Sequence, residues 1–227
     1  MPSWAQYRLF LSGICKFQNW NDTYANIARL HKSRFFVLHH ELYTFPERLL
    51  DIARLENDMG WKANYFVPNT PDLMQHPPLK KLISLGHDVG LLYDMLGNLS
   101  ERYSDNPKEL YQRAWAQFGD ILRQNHALNI RCIAPYVRKD GIDNSLLWQR
   151  FNYRVQNILC DSDLDFREDN IITFLVQKGE IQYFKRDIYG RYLVQKSTKS
   201  IQDLEDLGKR LKQGLLVPRV VVKIRWE

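Results

Sequence analysis

Side chains able to do chemistry gather in three short stretches of this chain: His39-His40-Glu41-Leu42-Tyr43, Tyr93-Asp94 and Asp161-Ser162-Asp163. An imidazole beside carboxylates can pass protons or hold a divalent cation, and tyrosines beside carboxylates can grip sugar hydroxyls while a ring face covers the sugar. In an extended strand side chains alternate, so His39, Glu41 and Tyr43 share one face and His40 and Leu42 the other. The two adjacent histidines therefore cannot serve one metal from a regular strand. His39, Glu41 and Asp94 are the catalytic candidates, and together they offer one nitrogen and two carboxylates to a rearranged metal site that Asp161 could join. Tyr43, Tyr93, Trp148 and Asp161 are the candidates for contacting a sugar. His87 and Asp88, in Gly86-His87-Asp88-Val89-Gly90, are expected to satisfy backbone groups at a strand start, and His31, His76 and His126 carry no discernible chemistry.

These stretches need elements to position them. From Phe35 to Asp94 an apolar run, an amphipathic segment, a second apolar run, a short helix and a third apolar run spell βαβαβ, which favours parallel strands covered by helices with the chemistry at the strands' carboxyl ends. Residues 1–33 read as a mostly helical lead-in packed across one end of the core. Strands are expected at 34–41, 62–67, 89–94, 130–137 and 156–160, with Asp161 and Asp163 delivered by the last. Thr44-x-x-Glu47 has the form of a capping box with Pro46 in the first turn, opening a helix that runs to Gly60. Further helices are expected over 79–85, over 107–127 as the longest, and after a cap at Asn144. Beyond Asp163 the alternation breaks into short strands at 171–176 and 181–184, a possible third at 191–194, a helix capped by Ser200 and ended by Gly214, and a closing strand at 219–226 that closes or edges the sheet.

The 227 residues are 44% hydrophobic and 26% charged, an ordinary globular balance with length enough for one large core and no linker or repeat, so a single domain over 1–227 is expected. The N-terminal apolar patch is too short for a membrane span and lacks a cleavage region, which predicts a cytoplasmic protein. Cys15, Cys132 and Cys160 are odd in number and widely spaced, as reduced structural thiols would be. Between Lys185 and Arg225 eleven Lys/Arg stand against four acids, a local excess that could face an anionic partner, although their dispersal also suits a solvated face.

Taken together, the chain resembles the carbohydrate deacetylases of the NodB-like superfamily, in the WbmS-like branch associated with O-antigen and surface-polysaccharide biosynthesis. The resemblance rests on His39-His40-Glu41-Leu42-Tyr43-Thr44-Phe45-Pro46 against a motif of the form R-H-D-V-D-x-x-P. It continues with Leu49 to Glu56, Gly60 to Phe66, Gly86 to Asp94 against G-H-E-I-G-x-H-Y-E, and Asp143-Asn144 with Leu147-Trp148. It implies an incomplete seven-stranded (β/α) barrel and a divalent metal at the strand ends that polarises an N-acetyl carbonyl and activates water. The chain departs from the pattern where ligands belong. Tyr43 and Leu92 replace a metal-binding Asp and His, Glu41 stands for the base, Pro135 or a neighbour lies where a His-Gly is expected, and the VVKIRW ending replaces His-Pro-x-x-Trp.

Three functions follow as expectations. The first is a polysaccharide deacetylase-like hydrolase with substituted ligands, which would need zinc or another divalent metal only if a rearranged site exists. The second is a catalytically silent glycan-binding protein, and the third an anion or nucleic-acid binder using the basic C-terminal half. A carbohydrate or nucleotide-sugar ligand and partner enzymes of polysaccharide biosynthesis are the expected partners, ahead of nucleic acid.

Overall fold

A computed structural model of the chain describes residues 4–44, 47–70, 75–103, 106–136, 143–166, 171–177, 180–186, 192–195, 204–214 and 219–226. Its strands are β1 (Phe35–Leu42), β2 (Ala63–Pro68), β3 (Asp88–Tyr93), β4 (Cys132–Pro135), β5 (Cys160–Asp161), β6 (Ile171–Gln177), β7 (Glu180–Arg186), β8 (Tyr192–Gln195) and β9 (Arg219–Trp226). The helices are α1 (Trp4–Gly13), α2 (Tyr24–Leu30), α3 (Leu49–Asp58), α4 (Pro78–Ser84), α5 (Met95–Tyr103), α6 (Pro107–Gln124) and α7 (Leu204–Gly214).

The sheet order is β5-β4-β3-β2-β1-β9-β6-β7-β8. From β5 to β6 all neighbours are parallel, and these seven strands curl into a half-barrel, while β7 and β8 extend it antiparallel. Because the crossovers put helices over the sheet, β1 is buried along its whole length, which is why Phe35 to Leu38 reads as a continuous apolar run and why His39, His40 and Glu41 need partners inside the protein. The final strand does not edge the sheet. It lies in the middle, between β1 and β6, with all eight residues in register with β1 from Phe35↔Arg219 to Leu42↔Trp226.

Strand alternation divides the interior in two. On the convex face Phe36, Leu38, Leu91, Ile133, Val222 and Ile224 join the main core beneath α1, α3, α6 and α7. On the concave face Phe35, Val37, Phe66, Leu92, Cys132, Cys160, Ile171 and Val221 form a second cluster that draws on all seven parallel strands. Tyr24 and Ile27 of α2 plug this hollow, so part of the helical lead-in fills the half-barrel rather than lying across one end.

Gly60 and Gly86 end α3 and α4 in left-handed backbone, φ +75° and +83°, as their positions after the apolar stripes predict. Several expected boundaries move. The capping box does not form among the described residues: α3 begins only at Leu49, its N-cap position is Arg48 without a side-chain cap, Thr44 N–H donates to the Trp226 carbonyl at 3.3 Å, and Phe45 and Pro46 lie outside the described residues. Asp143, not Asn144, caps the next element, and that element is a 3₁₀ turn over Asn144–Gln149. The expected strand at 156–160 shrinks to Cys160–Asp161, preceded by a 3₁₀ turn at Tyr153–Gln156. Ser200, the expected cap of the last helix, lies outside the described residues, as do Lys178 and Gly179 between β6 and β7. Among the described residues no helix is long and apolar enough to cross a membrane.

Candidate functional site

At the carboxyl ends of β1, β2, β3 and β4 a cleft of about 480 Å³ opens on the concave side. The alternation of β1 carries His39, Glu41 and Tyr43 toward it, and the parallel register sets Lys223 beside His39 and Arg225 beside Glu41. Glu41, 3% exposed, is gripped from several sides: Arg225 Nε donates to Oε2 at 2.5 Å, the Tyr43 hydroxyl donates to Oε2 at 3.2 Å, and His39 Nε2 lies 3.4 Å from Oε1. Arg225 also donates to Gln177 Oε1 at 3.3 Å. Lys223 Nζ donates to Asp163 Oδ1 at 2.6 Å, which ties the loop after β5 to the centre of the sheet.

Below this layer the Tyr24 hydroxyl is 3.1 Å from His39 Nδ1, and the ring of His39 stacks on Phe66 with centroids 4.3 Å apart. The network fits the tautomer in which Tyr24 donates to Nδ1 and Nε2–H turns toward Glu41, although Nε2 makes no well-formed hydrogen bond. Burial, then the neighbouring Lys223, push the His39 pKa down to about 4, so the ring is neutral at pH 7. Burial works against charge on Glu41, yet His39, Lys223 and Arg225 hold its carboxyl well below the usual range. Since His39 is neutral at pH 7, the full positive charges facing Glu41 there are those of Lys223 and Arg225. Burial likewise opposes charge on Asp163, and Lys223 outweighs it.

The cleft wall above is of a different kind. Tyr43 and Tyr136 meet edge to face with centroids 5.1 Å apart, and Asn69, Thr70, Asp94 and Asn98 supply amide, hydroxyl and carboxylate groups. Asp94 precedes α5 and accepts from Asn144 Nδ2 at 2.9 Å, while Asn144 Oδ1 accepts from the Leu96 N–H at 2.9 Å. A Cβ at Gly97 would fall 2.2 Å from Asp94 Oδ1, so the carboxylate sits tightly over the first turn of α5. Asp94 therefore reaches the cleft as part of a helix start, apart from the His39–Glu41 pair.

The remaining sequence candidates point elsewhere. Tyr93 and Asp161 are fully buried on the convex side: Tyr93 OH donates to Asp161 Oδ2 at 2.6 Å, and Trp148 Nε1 lies 2.8 Å from Tyr93 OH and 3.2 Å from the same carboxylate oxygen. Asp161 Oδ1 accepts the N–H groups of Asp163 and Leu164 and shapes the turn; burial and the facing Asp163 push its pKa up to about 6. Tyr93 and Asp161 are thus turned into the core and not toward the cleft, because a strand residue next to a concave one faces the opposite way, and Trp148, in the 3₁₀ turn, is held to them through Nε1.

His40 shows the same separation. Its Nδ1 accepts from Trp226 Nε1 at 3.0 Å and its Nε2 lies 2.7 Å from Glu56 Oε1, a carboxylate fully buried in α3. Tyr65 OH donates to the other Glu56 oxygen at 2.5 Å and Tyr7 OH donates to Oε1. His87 accepts the Ala63 N–H at 3.1 Å and lies 2.9 Å from the Ala53 carbonyl, the backbone-satisfying part expected of it. His40, Glu56, Tyr65 and His87, which carry much of the motif likeness, are therefore ties between strand and helix.

The donor set does not fit a divalent metal. Among the described residues no three His, Cys, Asp or Glu side chains group as a metal ion requires. Glu41 and Asp163 already answer to Arg225 and Lys223, and a divalent cation there would meet two fixed positive charges. His39, Glu41 and Asp94 do not form the rearranged site that the sequence suggests. Lys223, Arg225 and Tyr24, all absent from the sequence candidates, are the residues that define the site instead; the apolar and basic alternation of Val222 to Trp226 is the available signal for the two cations, since it aims every second side chain of a buried strand at one face. No family model matches the chain, and no curated protein matches it.

Proposed function

We propose that this protein binds an uncharged stretch of glycan in the cleft above Glu41, on a NodB-like deacetylase scaffold from which the metal chemistry has been lost. The observation that carries the reading is the Glu41–Arg225 pair, 2.5 Å apart and almost closed to solvent, at the strand position where the resemblance would have a catalytic carboxylate. A carboxylate so engaged is a poor base and a poor ligand, because freeing it leaves Arg225 uncompensated. What remains facing the cleft is suited to recognition. The Tyr43 and Tyr136 rings offer apolar faces, Asn69, Thr70 and Asn98 offer directional hydrogen bonds, and Asp94 is the only acidic or basic side chain on the described wall.

Glu41, Lys223, Arg225 and Asp163 then act as a rigid, charge-balanced floor that fixes Tyr43 by its hydroxyl. The test is ligand-observed NMR with N-acetylated oligosaccharides and O-antigen fragments, run beside an acetate-release assay and elemental analysis of the purified protein. Binding that survives a chelator, without acetate release, is the expected result. Acetate release that depends on added zinc, nickel, cobalt or manganese, or a complete failure to bind neutral glycans, would overturn the proposal.

A further inference from the structure

The opposite end of the half-barrel, where β1, β9 and β6 begin, holds a second cleft of about 370 Å³. It lies a strand length, about 20 Å, from the first. Its floor is apolar: Phe166 packs edge to face on Phe35 with centroids 5.6 Å apart, and Leu159 lies alongside. Its rim is cationic, with Lys32, Arg154 and Arg219 against a single carboxylate, Asp165, on the described lining.

The partners of these cations hold them from behind. Arg154 donates to Asp165 Oδ1 at 2.6 Å and lies over the Tyr153 ring, Lys32 donates to Asp22 Oδ2 at 2.6 Å, and Arg219 Nε donates to the Ser33 carbonyl at 3.0 Å. Their exposures are unequal: the Lys32 and Arg154 side chains remain 32% and 54% exposed, whereas those of Asp22 and Asp165 are 7% and 25% exposed. The acids are tucked under and the cations face out. An arginine has five N–H donors and a lysine three, so each can serve its acid and an incoming anion together.

We propose that this cleft binds a phosphorylated ligand carrying a flat apolar ring, of the nucleoside diphosphate class, with Lys32, Arg154 and Arg219 on the phosphates and Leu159 and Phe166 beneath the ring. The cations are spread around an apolar floor instead of converging on one point, which suits an anion with a body better than a bare one. The inference is independent of the glycan reading, since the two clefts share no lining residue.

Isothermal titration calorimetry with uridine diphosphate and adenosine diphosphate as probes tests it, with inorganic pyrophosphate and uridine as the two halves of the ligand. Lys32→Gln and Arg154→Gln are suitable variants, because Asp22 keeps Lys62 nearby at 3.5 Å and Asp165 keeps the Tyr153 hydroxyl at 2.6 Å, so both proteins should fold. Arg123→Gln on the exposed face of α6 is the control. Expected are binding of the diphosphates, about tenfold weaker binding in each cleft variant, no change in the control, and pyrophosphate and uridine each at least about tenfold weaker than the whole nucleotide. No nucleotide binding, pyrophosphate as tight as the nucleotides, or affinity indifferent to both cleft variants would each overturn it.

Discussion

Replacing Arg225 by methionine should be among the most costly single changes at the site, although it touches no apolar contact of the main core. The Arg225 side chain is 17% exposed and that of Glu41 4%, so their contact at 2.5 Å is a nearly buried ion pair. Removing one member of such a pair leaves a charge in a medium that cannot solvate it, which costs about 3–5 kcal/mol. Lys223 remains on the neighbouring side of His39 and still opposes the Glu41 charge, which places the expected loss near about 3 kcal/mol. For a chain of this length that is a fall in Tm of about 6–12 °C. The double variant Glu41→Gln, Arg225→Met removes both charges and leaves a side-chain amide oxygen at position 41 able to accept from Tyr43, so it should recover at least half of the loss. Urea denaturation of the wild type, both single variants and the double variant closes the thermodynamic cycle. Because the folded Glu41 carboxyl is held below its ordinary value, its contribution is present above about pH 4.3 and disappears only as pH falls toward the folded value, so the cycle belongs at pH 7. An Arg225→Met loss under about 1 kcal/mol, or a double variant no better than Arg225→Met alone, would show that the pair is solvated and that the argument against a usable Glu41 fails.

Three further outcomes are expected. His39, whose pKa burial and Lys223 push down to about 4, resists a proton that the unfolded chain accepts near 6.5; its share of stability is full above pH 6.5 and falls by about 3 kcal/mol as pH drops to 4, so His39→Gln should flatten the urea midpoint against pH over that window, and an unchanged slope would contradict it. Glu56→Ala leaves Tyr7, Tyr65 and His40 with buried donors facing a void and should cost about 3–5 kcal/mol in urea denaturation, a loss that a solvent-filled or collapsible pocket would keep below about 1. Tyr136→Ala, at a half-buried position on the cleft wall, should leave the denaturation midpoint nearly unchanged and weaken glycan binding about fivefold to tenfold by NMR titration; equal affinity would remove Tyr136 from the binding surface.

The path from sequence to site was readable where one element decided the outcome. The alternation along β1 put His39, Glu41 and Tyr43 on one face and His40 on the other before any contact was known, and the structure keeps that division. Gly60 and Gly86 marked their helix ends because few other residues adopt the left-handed turn there. Where the outcome depended on pairing between distant strands, reading along the chain failed. Lys223 and Arg225 looked like part of a diffuse basic surface, and only the insertion of β9 between β1 and β6 sets them beside His39 and Glu41. Tyr24 was lost in the helical lead-in for the same reason, since nothing local says that α2 fills the hollow. A strand end does not turn all its polar groups toward the ligand: Tyr93 and Asp161 face away from the hollow, and their hydroxyl and carboxylate satisfy each other in the core. The capping box failed through competition, as Tyr43 and Thr44 instead donate their N–H groups to the Trp226 carbonyl and extend the β1–β9 pairing past the strand end.

The same division separates the positions that carry the resemblance from those at which the chain departs from it. Four of the matching positions, His40, Glu56, Tyr65 and His87, meet in or beside one buried hydrogen-bond system joining β1, β2 and α3, and losing a member strands a donor or a charge in the core. The substituted positions, Tyr43 and Leu92, lie on the concave face, where side chains are limited by the shape of the hollow and by charge balance alone. Carboxylates buried on that face must be neutralised where they stand. Arg225 and Lys223 do so from β9 at the centre of the sheet, each matched to one carboxylate at hydrogen-bonding distance. Charge balance of this kind also explains why removing Arg225 should not by itself create a metal site: Glu41 would lose its counter-charge without gaining the second and third ligands that a divalent ion needs, because Tyr43 and Leu92 supply neither. Metal uptake by the Arg225→Met variant, followed by elemental analysis after incubation with excess zinc, should therefore stay at the wild-type level, and a stoichiometric gain would mean that other groups on the concave face can reach the ion.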